Sequence, residues 1–277
     1  MIGQSLFLQC GRKIMSIWRH SMLSHLLVKA VAPSIRKRPL QDCPGWMARI
    51  CGIKVPQLVR PHSHPRPEGS ANINILLSLL EDAVKCEGDL CECGVFRGST
   101  LIPTGLYLAQ HGIEKKVFGC DSFEGFGAAV AIDVQLGGTD CEARHVNGMN
   151  STSQQYVARR LESFGLDART QLLPGYFENT LHQLADRKFC FVHLDCDMYQ
   201  SYKTCMEFFY PRMAPGGIIL FDEYDDSYWP GCNLAVDEFL DGKLEKPVRI
   251  MRDNYVKCFV QKGRAAEVSL PVEAEAA

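Results

Sequence analysis

The feature that most constrains the fold is an alternation of short apolar runs with segments of helical periodicity, which begins at Asn72. The apolar runs predict strands at 90–93, 116–120, 170–173, 189–194 and 217–221. Amphipathic patterns around them predict helices at 73–86, 99–111, 152–164, 178–185, 200–212 and 232–241, with an irregular stretch at 124–148. Repeated strand–helix units favour a parallel sheet that has helices on both faces.

The last two strand patterns predict a different connection. Val248–Arg252 and Tyr255–Gln261 flank Asp253-Asn254, which is a hairpin signal. A hairpin reverses the chain, so we expect one antiparallel strand near the C-terminus. The predicted fold is therefore α/β, with a doubly wound, Rossmann-like sheet that is otherwise parallel.

Charge is distributed unevenly along the 277 residues. Residues 1–60 contain ten Lys and Arg and a single acid, Asp42, whereas the remainder contains 20 basic and 31 acidic side chains. The net charge of −2 gives no reason to expect a nucleic-acid partner. We predict a basic helical extension and linker over 1–69, the main domain over 70–263, and an acidic, alanine-rich tail over 264–277.

Apolar residues between Phe7 and Leu27 recur at helical spacing, with basic residues between them. This pattern is typical of a docking helix that has a solvated basic face. A targeting peptide, a membrane-surface helix, an active-site lid and an arm that joins a homo-oligomer remain open alternatives. No apolar stretch approaches the roughly 18–20 residues of a membrane span.

The 13 cysteines include no Cys-x-x-Cys pair, which disfavours a zinc ribbon or a thioredoxin-type site. Most of them lie in apolar runs, where a thiol acts as a small hydrophobic side chain. We therefore expect reduced thiols and a cytoplasmic location, with organelle targeting by the basic N-terminus left open.

A glycine-containing turn follows the first predicted strand, in the segment Glu92-Cys-Gly-Val-Phe-Arg-Gly-Ser99. Gly94 permits a sharp turn, Gly98 lets a ligand approach the backbone, and Ser99 is placed to cap the next helix. The second strand ends at Asp121, whose carboxylate can accept hydrogen bonds from both ribose hydroxyls of a nucleoside. Together these features predict a nucleoside ligand at the carboxyl edge of the sheet.

Glu92 lies near the end of a buried strand, where a carboxylate needs a cation or hydrogen bonds. An ammonium group of the ligand would satisfy it, and Arg97 is the alternative partner within the chain.

Acidic residues cluster at the ends of two later strands. Asp195 and Asp197 follow one strand, and Asp222 and Glu223 follow the next. Neighbouring strand ends lie about 5 Å apart, so we expect Asp195, Asp222 and Glu223 to bind one cation. Oxygen ligands favour a hard ion such as Mg²⁺.

A metal-bound hydroxyl has a lowered pKa and becomes a nucleophile. Asp197 is placed to take its proton as general base. His193 shares the alternate phase of Asp195 and Asp197, so it is either a base, a support for the metal ligands or a satisfied core histidine.

Seven motifs between residues 70 and 260 together resemble the macrocin O-methyltransferase family. They are Glu92-Cys-Gly-Val-Phe-Arg-Gly-Ser, Asp121-Ser-Phe-Glu-Gly-Phe, Leu172-Leu-Pro-Gly-Tyr-Phe, Leu194-Asp-Cys-Asp-Met-Tyr, Pro215-Gly-Gly, Phe221-Asp-Glu-Tyr and Trp229-Pro-Gly-Cys-Asn-Leu-Ala-Val-Asp-Glu-Phe. The resemblance implies an S-adenosylmethionine- and Mg²⁺-dependent O-methyltransferase that acts on a small-molecule hydroxyl, often on a sugar of a natural product.

The resemblance also implies roles for individual residues. Cofactor binding falls to Glu92, Gly94, Val95, Gly98, Ser99, Asp121, Ser122, Phe123 and Gly175. Metal binding falls to Asp195, Asp222 and Glu223, and the role of base to Asp197. His193 stays a second catalytic candidate on the strength of its strand phase alone. Family members often carry Asp at the position of Glu223, which differs here in side-chain length.

Two other functions use the same acidic residues. A metal-dependent hydrolase would leave the glycine turn and Asp121 without a role. A binding protein that has lost turnover would have no need of four mutually repelling carboxylates.

Overall fold

The computed structural model describes residues 68–127, 131–136, 150–225, 227–252 and 255–264. The predicted helix between Phe7 and Leu27, most of the predicted linker and nearly all of the tail lie outside these ranges. The predicted boundary near residue 70 falls in the first turn of the first described helix, Glu68–Ala83.

Seven strands and seven α-helical segments alternate along the described ranges. The strands are β1 (Asp89–Cys93), β2 (Val117–Asp121), β3 (Thr170–Pro174), β4 (Phe189–Leu194), β5 (Met213–Phe221), β6 (Val248–Arg252) and β7 (Tyr255–Gln261). The helices are α1 (Glu68–Ala83), α2 (Leu101–Gln110), α3 (131–136), α4 (Gln154–Ser163), α5 (Phe177–Thr180), α6 (Tyr199–Phe209) and α7 (Pro230–Leu240). Short 3₁₀ turns follow α5 and α6, at Leu181–Leu184 and Tyr210–Arg212.

All seven strands form one sheet in the order β3-β2-β1-β4-β5-β7-β6. The first five strands of the chain pair in parallel, and β7 is antiparallel to both of its neighbours. This confirms the predicted doubly wound sheet with one antiparallel strand.

The chain progresses outward from β1 in one direction and from β4 in the other, so the strand order reverses between β1 and β4. Ligands of doubly wound sheets bind beyond the carboxyl ends of the strands at such a reversal.

Buried side chains form two clusters, one on each face of the sheet. Phe189, Val192 and Leu194 of β4 pack with α6 and α7 on one face. Phe191 packs with α1 and α2 on the other face, because it alternates with Val192 and an irregularity in the pairing separates it from Phe189. Both layers hold the strand ends rigidly, and those ends carry the candidate site.

Most predicted elements lie within a few residues of the observed ones, and four differ. Helix α3 (131–136) lies in the stretch that was predicted to be irregular. Helix α1 begins at Glu68 rather than at residue 73. The predicted helix 178–185 divides into α5 and a 3₁₀ turn. Strand β5 begins at Met213 rather than at Gly217. The pairing of β4 with β5 changes register between Phe189 and Phe191, and this irregularity accommodates the Pro-Gly segment within β5.

Within the described part of the chain, no helix combines the length and apolar character needed to cross a bilayer. The cysteines of these ranges are all free thiols.

Candidate active site

A cavity of about 650 Å³ opens where β1, β2 and β4 end, at the reversal of strand order. A volume of this size suits a small-molecule ligand. Its walls come from α1, from the turn after β1, from the segments after β2 and β3, and from the loop between β4 and α6. The residues that argue for its chemistry are Gly94, Val95, Phe96, Ser99, Asp121, Ser122, Asp195 and Asp197.

Position 94 requires glycine because the ends of β1 and β4 meet there. Its φ of +91° is costly for other residues, and a Cβ atom would collide with the carbonyl oxygen of Asp195. Two hydrogen bonds fix this junction: Gly94 N–H donates to Cys120 O, and Asp195 N–H donates to Cys93 O, each at 2.9 Å. The glycine therefore joins the turn to the acidic loop after β4.

Asp121 organises the turn through its carboxylate. Oδ2 accepts hydrogen bonds from the backbone N–H groups of Val95 (2.8 Å) and Phe96 (2.7 Å), and Oδ1 accepts one from Phe123 (2.6 Å). Phe96 and Phe123 both have positive φ, at 45° and 57°. These bonds hold strained backbone beside the cavity, and Oδ1 retains acceptor capacity toward it.

The predicted cap at Ser99 is wrong. Helix α2 begins at Leu101 with Thr100 in the cap position, and no side chain caps it. The Thr100 hydroxyl donates instead to Oε1 of Glu92 at 2.7 Å. Ser99 lines the cavity, so it is available to a ligand.

Glu92 is 3% exposed and points into the protein, not into the cavity. Its partners are Thr100 and His193, whose Nδ1 lies 3.9 Å from Oε2. Burial raises the pKa of Glu92, and the contacts with His193 and Thr100 oppose that increase. Arg97, the alternative partner, donates to Ser151.

The predicted cofactor residues thus divide into two sets. Gly94, Val95, Ser99, Asp121 and Ser122 line the cavity. Glu92, Gly98, Phe123 and Gly175 lie behind this wall and shape the segments that form it.

The acidic strand ends converge as predicted, except that His193 is found where the prediction had Glu223. Ligand-capable atoms of His193, Asp195 and Asp222 all lie within 4.8 Å of one another. His193 Nε2 is 3.2 Å from Asp222 Oδ1, while Nδ1 has no hydrogen-bond partner among the described residues. His193 therefore contacts the acidic group directly rather than lying in unrelated core.

Glu223 does not belong to this group, in contrast to our prediction. Its Oε2 lies 2.6 Å from the hydroxyl of Tyr202 and accepts a long hydrogen bond (3.4 Å) from the backbone of Asp197. The carboxylate of Glu223 is therefore held at Tyr202, apart from the group that His193, Asp195 and Asp222 form.

Sequence reasoning missed Lys257. This residue of β7 is 3% exposed, and its Nζ lies 2.6 Å from Asp222 Oδ2. Burial by itself would lower the pKa of Lys257, but the Asp222 carboxylate raises it, so the ammonium form persists. The signal was present in the sequence, because a lysine interrupts the apolar run Tyr255-Val-Lys-Cys-Phe-Val.

Asp197 has an unusual backbone for a non-glycine residue, with φ of 61°. It lines the cavity while its carbonyl oxygen accepts a hydrogen bond from Cys232 Sγ at 2.7 Å. Burial, followed by the negative charge of Asp195, raises the pKa of Asp197 well above its ordinary value. A strained acid with a raised pKa beside a cavity is a candidate proton acceptor.

The charges of His193, Asp195, Asp222 and Lys257 shift one another's pKa values. Burial and the neighbouring Asp222 raise the pKa of Asp195 to about 7. Burial opposes protonation of His193, but the hydrogen bond to Asp222 and the nearby carboxylate of Glu92 outweigh it and raise its pKa to about 10. Asp222 is ionised, because Lys257 and His193 overcome the effect of burial and lower its pKa.

A doubly wound sheet with this cavity and this group of acids has the architecture of the Rossmann-like methyltransferase class. Residues 69–257 match the family described as Macrocin-O-methyltransferase (TylF). That match covers more than half of the sequence, and the chain belongs to the macrocin O-methyltransferase family.

Two characterised relatives are similar over a large part of the chain. An 8-demethyl-8-(2,3-dimethoxy-alpha-L-rhamnosyl)-tetracenomycin-C 4'-O-methyltransferase from Streptomyces olivaceus is 33% identical over 164 residues, which are 58% of this chain and 60% of that protein. Mycinamicin III 3''-O-methyltransferase from Micromonospora griseorubida is 30% identical over 182 residues, which are 62% and 69% of the two chains. The chain thus spans 60% of the length of the first relative.

Two solved structures share the fold. The O-methyltransferase NovP superposes with a TM-score of 0.63 at 24% identity, over 88% of this chain and 99% of that one. CalS11, a calicheamicin methyltransferase, superposes with a TM-score of 0.62 at 19% identity, over 89% and 95% of the two chains.

Proposed function

We propose that this protein is an S-adenosylmethionine- and Mg²⁺-dependent O-methyltransferase that acts on a hydroxyl of a small molecule, in particular a sugar of a natural-product glycoside. One observation carries the proposal: the glycine turn, Asp121 and the Asp195–Asp197 loop open on the same cavity. A methyl donor and an acidic, proton-accepting centre can then meet in one place.

The cofactor fits the turn and the wall beside it. Gly94, Val95, Ser99 and Ser122 line the cavity, and Asp121 retains an acceptor site for a ribose hydroxyl. When bound, S-adenosylmethionine would supply an electrophilic methyl group on a sulfonium, with the thioether as leaving group. The chain contributes position, which accounts for much of the rate enhancement in such reactions.

The donor set of Asp195 and Asp222 fits a hard divalent cation. Two buried carboxylates lie close together, and their repulsion raises the pKa of Asp195, a cost that a bound cation removes. We propose Asp195 and Asp222 as ligands, with Glu223 held at Tyr202. When bound, Mg²⁺ supplies a Lewis acid that lowers the pKa of a hydroxyl.

Asp197 is proposed to accept the hydroxyl proton on its carboxylate. Asp197 lines the cavity, and its raised pKa suits a base that must hold a proton during the reaction. Lys257 and His193 act indirectly, because both contact Asp222 rather than the cavity.

The acceptor class follows from the relatives. The tetracenomycin and mycinamicin enzymes are named as O-methyltransferases of natural products, the first of them on a rhamnosyl compound. The family match over residues 69–257 includes the segments that form this cavity. The cavity wall includes Phe126 and Tyr176 beside Gln200 and Ser201, a mixture of apolar and hydrogen-bonding groups that suits a sugar.

The proposal is tested with the full-length chain in two steps. Calorimetry measures S-adenosylmethionine binding with and without Mg²⁺, and transfer of a labelled methyl group is then assayed on a panel of glycosides and catechols. We expect binding, turnover on a glycoside, loss of turnover with a chelator and recovery with Mg²⁺.

Other results would select other functions. Absence of cofactor binding would overturn the methyltransferase proposal, and Mg²⁺-dependent hydrolysis of an ester would then favour a hydrolase. Cofactor binding without turnover on any acceptor would favour a binding protein. Turnover that a chelator does not affect would remove the metal from the mechanism.

A further inference from the structure

Three cysteines converge in the interior on the sheet face that packs against α6. Cys91 and Cys93 lie two residues apart on β1, and Cys120 pairs with Cys93 on the neighbouring strand β2. Their sulfur atoms all lie within 4.8 Å of one another, and those of Cys91 and Cys120 are 3.7 Å apart. The three residues are 0–2% exposed.

This arrangement differs from the ordinary use of buried cysteines as small hydrophobic residues. Cys190 and Cys258 illustrate that ordinary use, because each packs among apolar side chains without belonging to a group of converging thiols in the described ranges. Three sulfurs at about 2.3 Å from a common centre would be separated by roughly 3.5–4 Å. The trio approaches that spacing and is held by two paired strands, not by loops.

We propose that Cys91, Cys93 and Cys120 form a binding site for a trivalent thiophilic element that arrives as a neutral hydroxide, of which arsenous acid is the simplest probe. The site is separate from the proposed methyl-transfer site. None of the three cysteines lines the cavity at the carboxyl ends of the strands.

Charge selects this class of ligand over a divalent metal. Apart from the thiol of Cys205, which contacts Cys93, the surrounding residues are core side chains that include Phe118, Leu194 and Tyr202. A divalent ion on three thiolates would leave one negative charge in this environment, and an uncompensated buried charge costs several kcal/mol. A trivalent centre on three thiolates is neutral and avoids that cost. Thiolate ligands also favour soft elements over hard ones.

The binding reaction balances without an oxidant or a reductant. Three thiols react with one trihydroxide: three S–H bonds and three element–oxygen bonds break, three element–sulfur bonds form, and three water molecules leave. Each thiol proton departs with a hydroxyl group, so neither net charge nor oxidation state changes.

Four cysteines lie outside the described ranges, and the test removes their contribution. The full-length chain with Cys10, Cys43, Cys51 and Cys141 changed to Ser is reduced with a phosphine, equilibrated with arsenite and examined by native mass spectrometry. We expect one adduct per chain whose mass increase equals one arsenic minus three hydrogens. X-ray absorption at the arsenic edge should show three sulfur neighbours.

Variants then locate the adduct. Cys120→Ala and the milder Cys120→Ser should abolish the three-coordinate adduct, whereas Cys190→Ala, which removes a buried thiol on the other face, should retain it. Calorimetry should give the same S-adenosylmethionine affinity with and without arsenite, because none of the three cysteines lines the cavity.

Three outcomes would overturn the site. They are absence of an adduct at equilibrium, an adduct that has lost only two hydrogens, and an adduct that persists in both Cys120 variants. The absorption measurement on the unsubstituted trio decides the matter even if the Cys120 variants do not fold. None of these outcomes bears on the methyltransferase proposal, which is tested by turnover.

Discussion

Lys257 holds Asp222 at two points: its Nζ lies 2.6 Å from carboxylate Oδ2 and 2.6 Å from the backbone carbonyl oxygen. Lys257 belongs to β7, the antiparallel strand, and Asp222 follows β5 beside it. His193 contacts the other carboxylate oxygen of Asp222. The C-terminal hairpin therefore supplies a buried positive charge that orients one of the proposed metal ligands.

Replacing Lys257 with Met should destabilise the protein and reduce activity. Removal of one partner of a buried ion pair leaves an uncompensated charge and costs about 3–5 kcal/mol. At about 2–4 °C per kcal/mol for a domain of this size, the melting temperature should fall by about 10 °C. Thermal unfolding and methyl-transfer rates of Lys257→Met measure both effects.

Two further variants test the mechanism of that loss. Lys262→Met removes a lysine from a more exposed and longer ion pair (3.9 Å to Glu245) and should shift the melting temperature little. In Lys257→Met/Asp222→Asn, loss of both charges should restore much of the stability without restoring activity. A double variant as unstable as Lys257→Met would show that the ion pair is not the cause.

Asp197→Asn should reduce kcat by roughly 10²–10⁴ while S-adenosylmethionine affinity stays within a few-fold, because an amide cannot serve as the base. Asn is the suitable replacement, since it tolerates the positive φ of this position better than Ala does. Rapid-quench turnover and calorimetry make the measurement. Full activity in Asp197→Asn would refute the assignment of the base.

Gly94→Ala should destabilise the protein severely and abolish cofactor binding, because the added methyl group collides with the backbone of Asp195. Gly112→Ala is the matched control. Gly112 also has positive φ (65°), but no atom lies within 4 Å of an added Cβ, so only the backbone cost of about 1 kcal/mol remains. Equal losses in the two variants would show that backbone strain, not the collision, dominates.

The metal-free protein should become less stable as pH rises from 5.5 to 8.5. The folded-state pKa of Asp195, about 7, exceeds its ordinary value of 3.8, so its favourable protonation is lost as pH rises through that range. The pKa of His193, about 10, exceeds 6.5, so its contribution declines above pH 6.5 in the same direction. Melting temperatures measured with a chelator follow the change.

Mg²⁺ should counteract this decline, because it binds the deprotonated site and stabilises only the folded state. The increase in melting temperature with Mg²⁺ should be larger at pH 8.5 than at pH 5.5, and Asp195→Asn should remove most of that difference. A metal-free melting temperature that rises with pH would contradict the assignment.

Asp222→Asn and Glu223→Gln distinguish a metal ligand from a neighbour of the site. Glu223→Gln keeps an oxygen for the Tyr202 contact, so Mg²⁺ affinity measured by calorimetry should change by less than about threefold. Asp222→Asn loses a charged ligand and should weaken binding at least about tenfold. The reverse order would return Glu223 to the metal site.

The periodicity of the sequence was sufficient to predict the sheet. Strand β4 and the hairpin strands β6 and β7 have the predicted bounds, because a buried strand produces a local apolar run and a hairpin a local turn signal. Strand β5 was predicted four residues too short. The change of register that admits Pro215 belongs to the pairing of β4 with β5, so the local sequence of β5 does not reveal it.

The chemistry of the site was predictable as far as it depends on strand ends. Asp195, Asp197 and Asp222 were placed at the carboxyl edge from position alone, and the structure brings Asp195 and Asp222 together there. Side-chain length and packing partners decided the remainder. They direct Glu223 to Tyr202 and Glu92 to Thr100.

The sequence by itself therefore determined the fold class, the turn after β1 and the edge of the sheet at which the acids gather, since each depends on local pattern and on the parallel direction of the strands. Only the tertiary structure decided which charges meet. Lys257 is 35 residues from Asp222 along the chain and 2.6 Å from it in space. Such a contact arises from the register of β5 against β7, which no local pattern encodes.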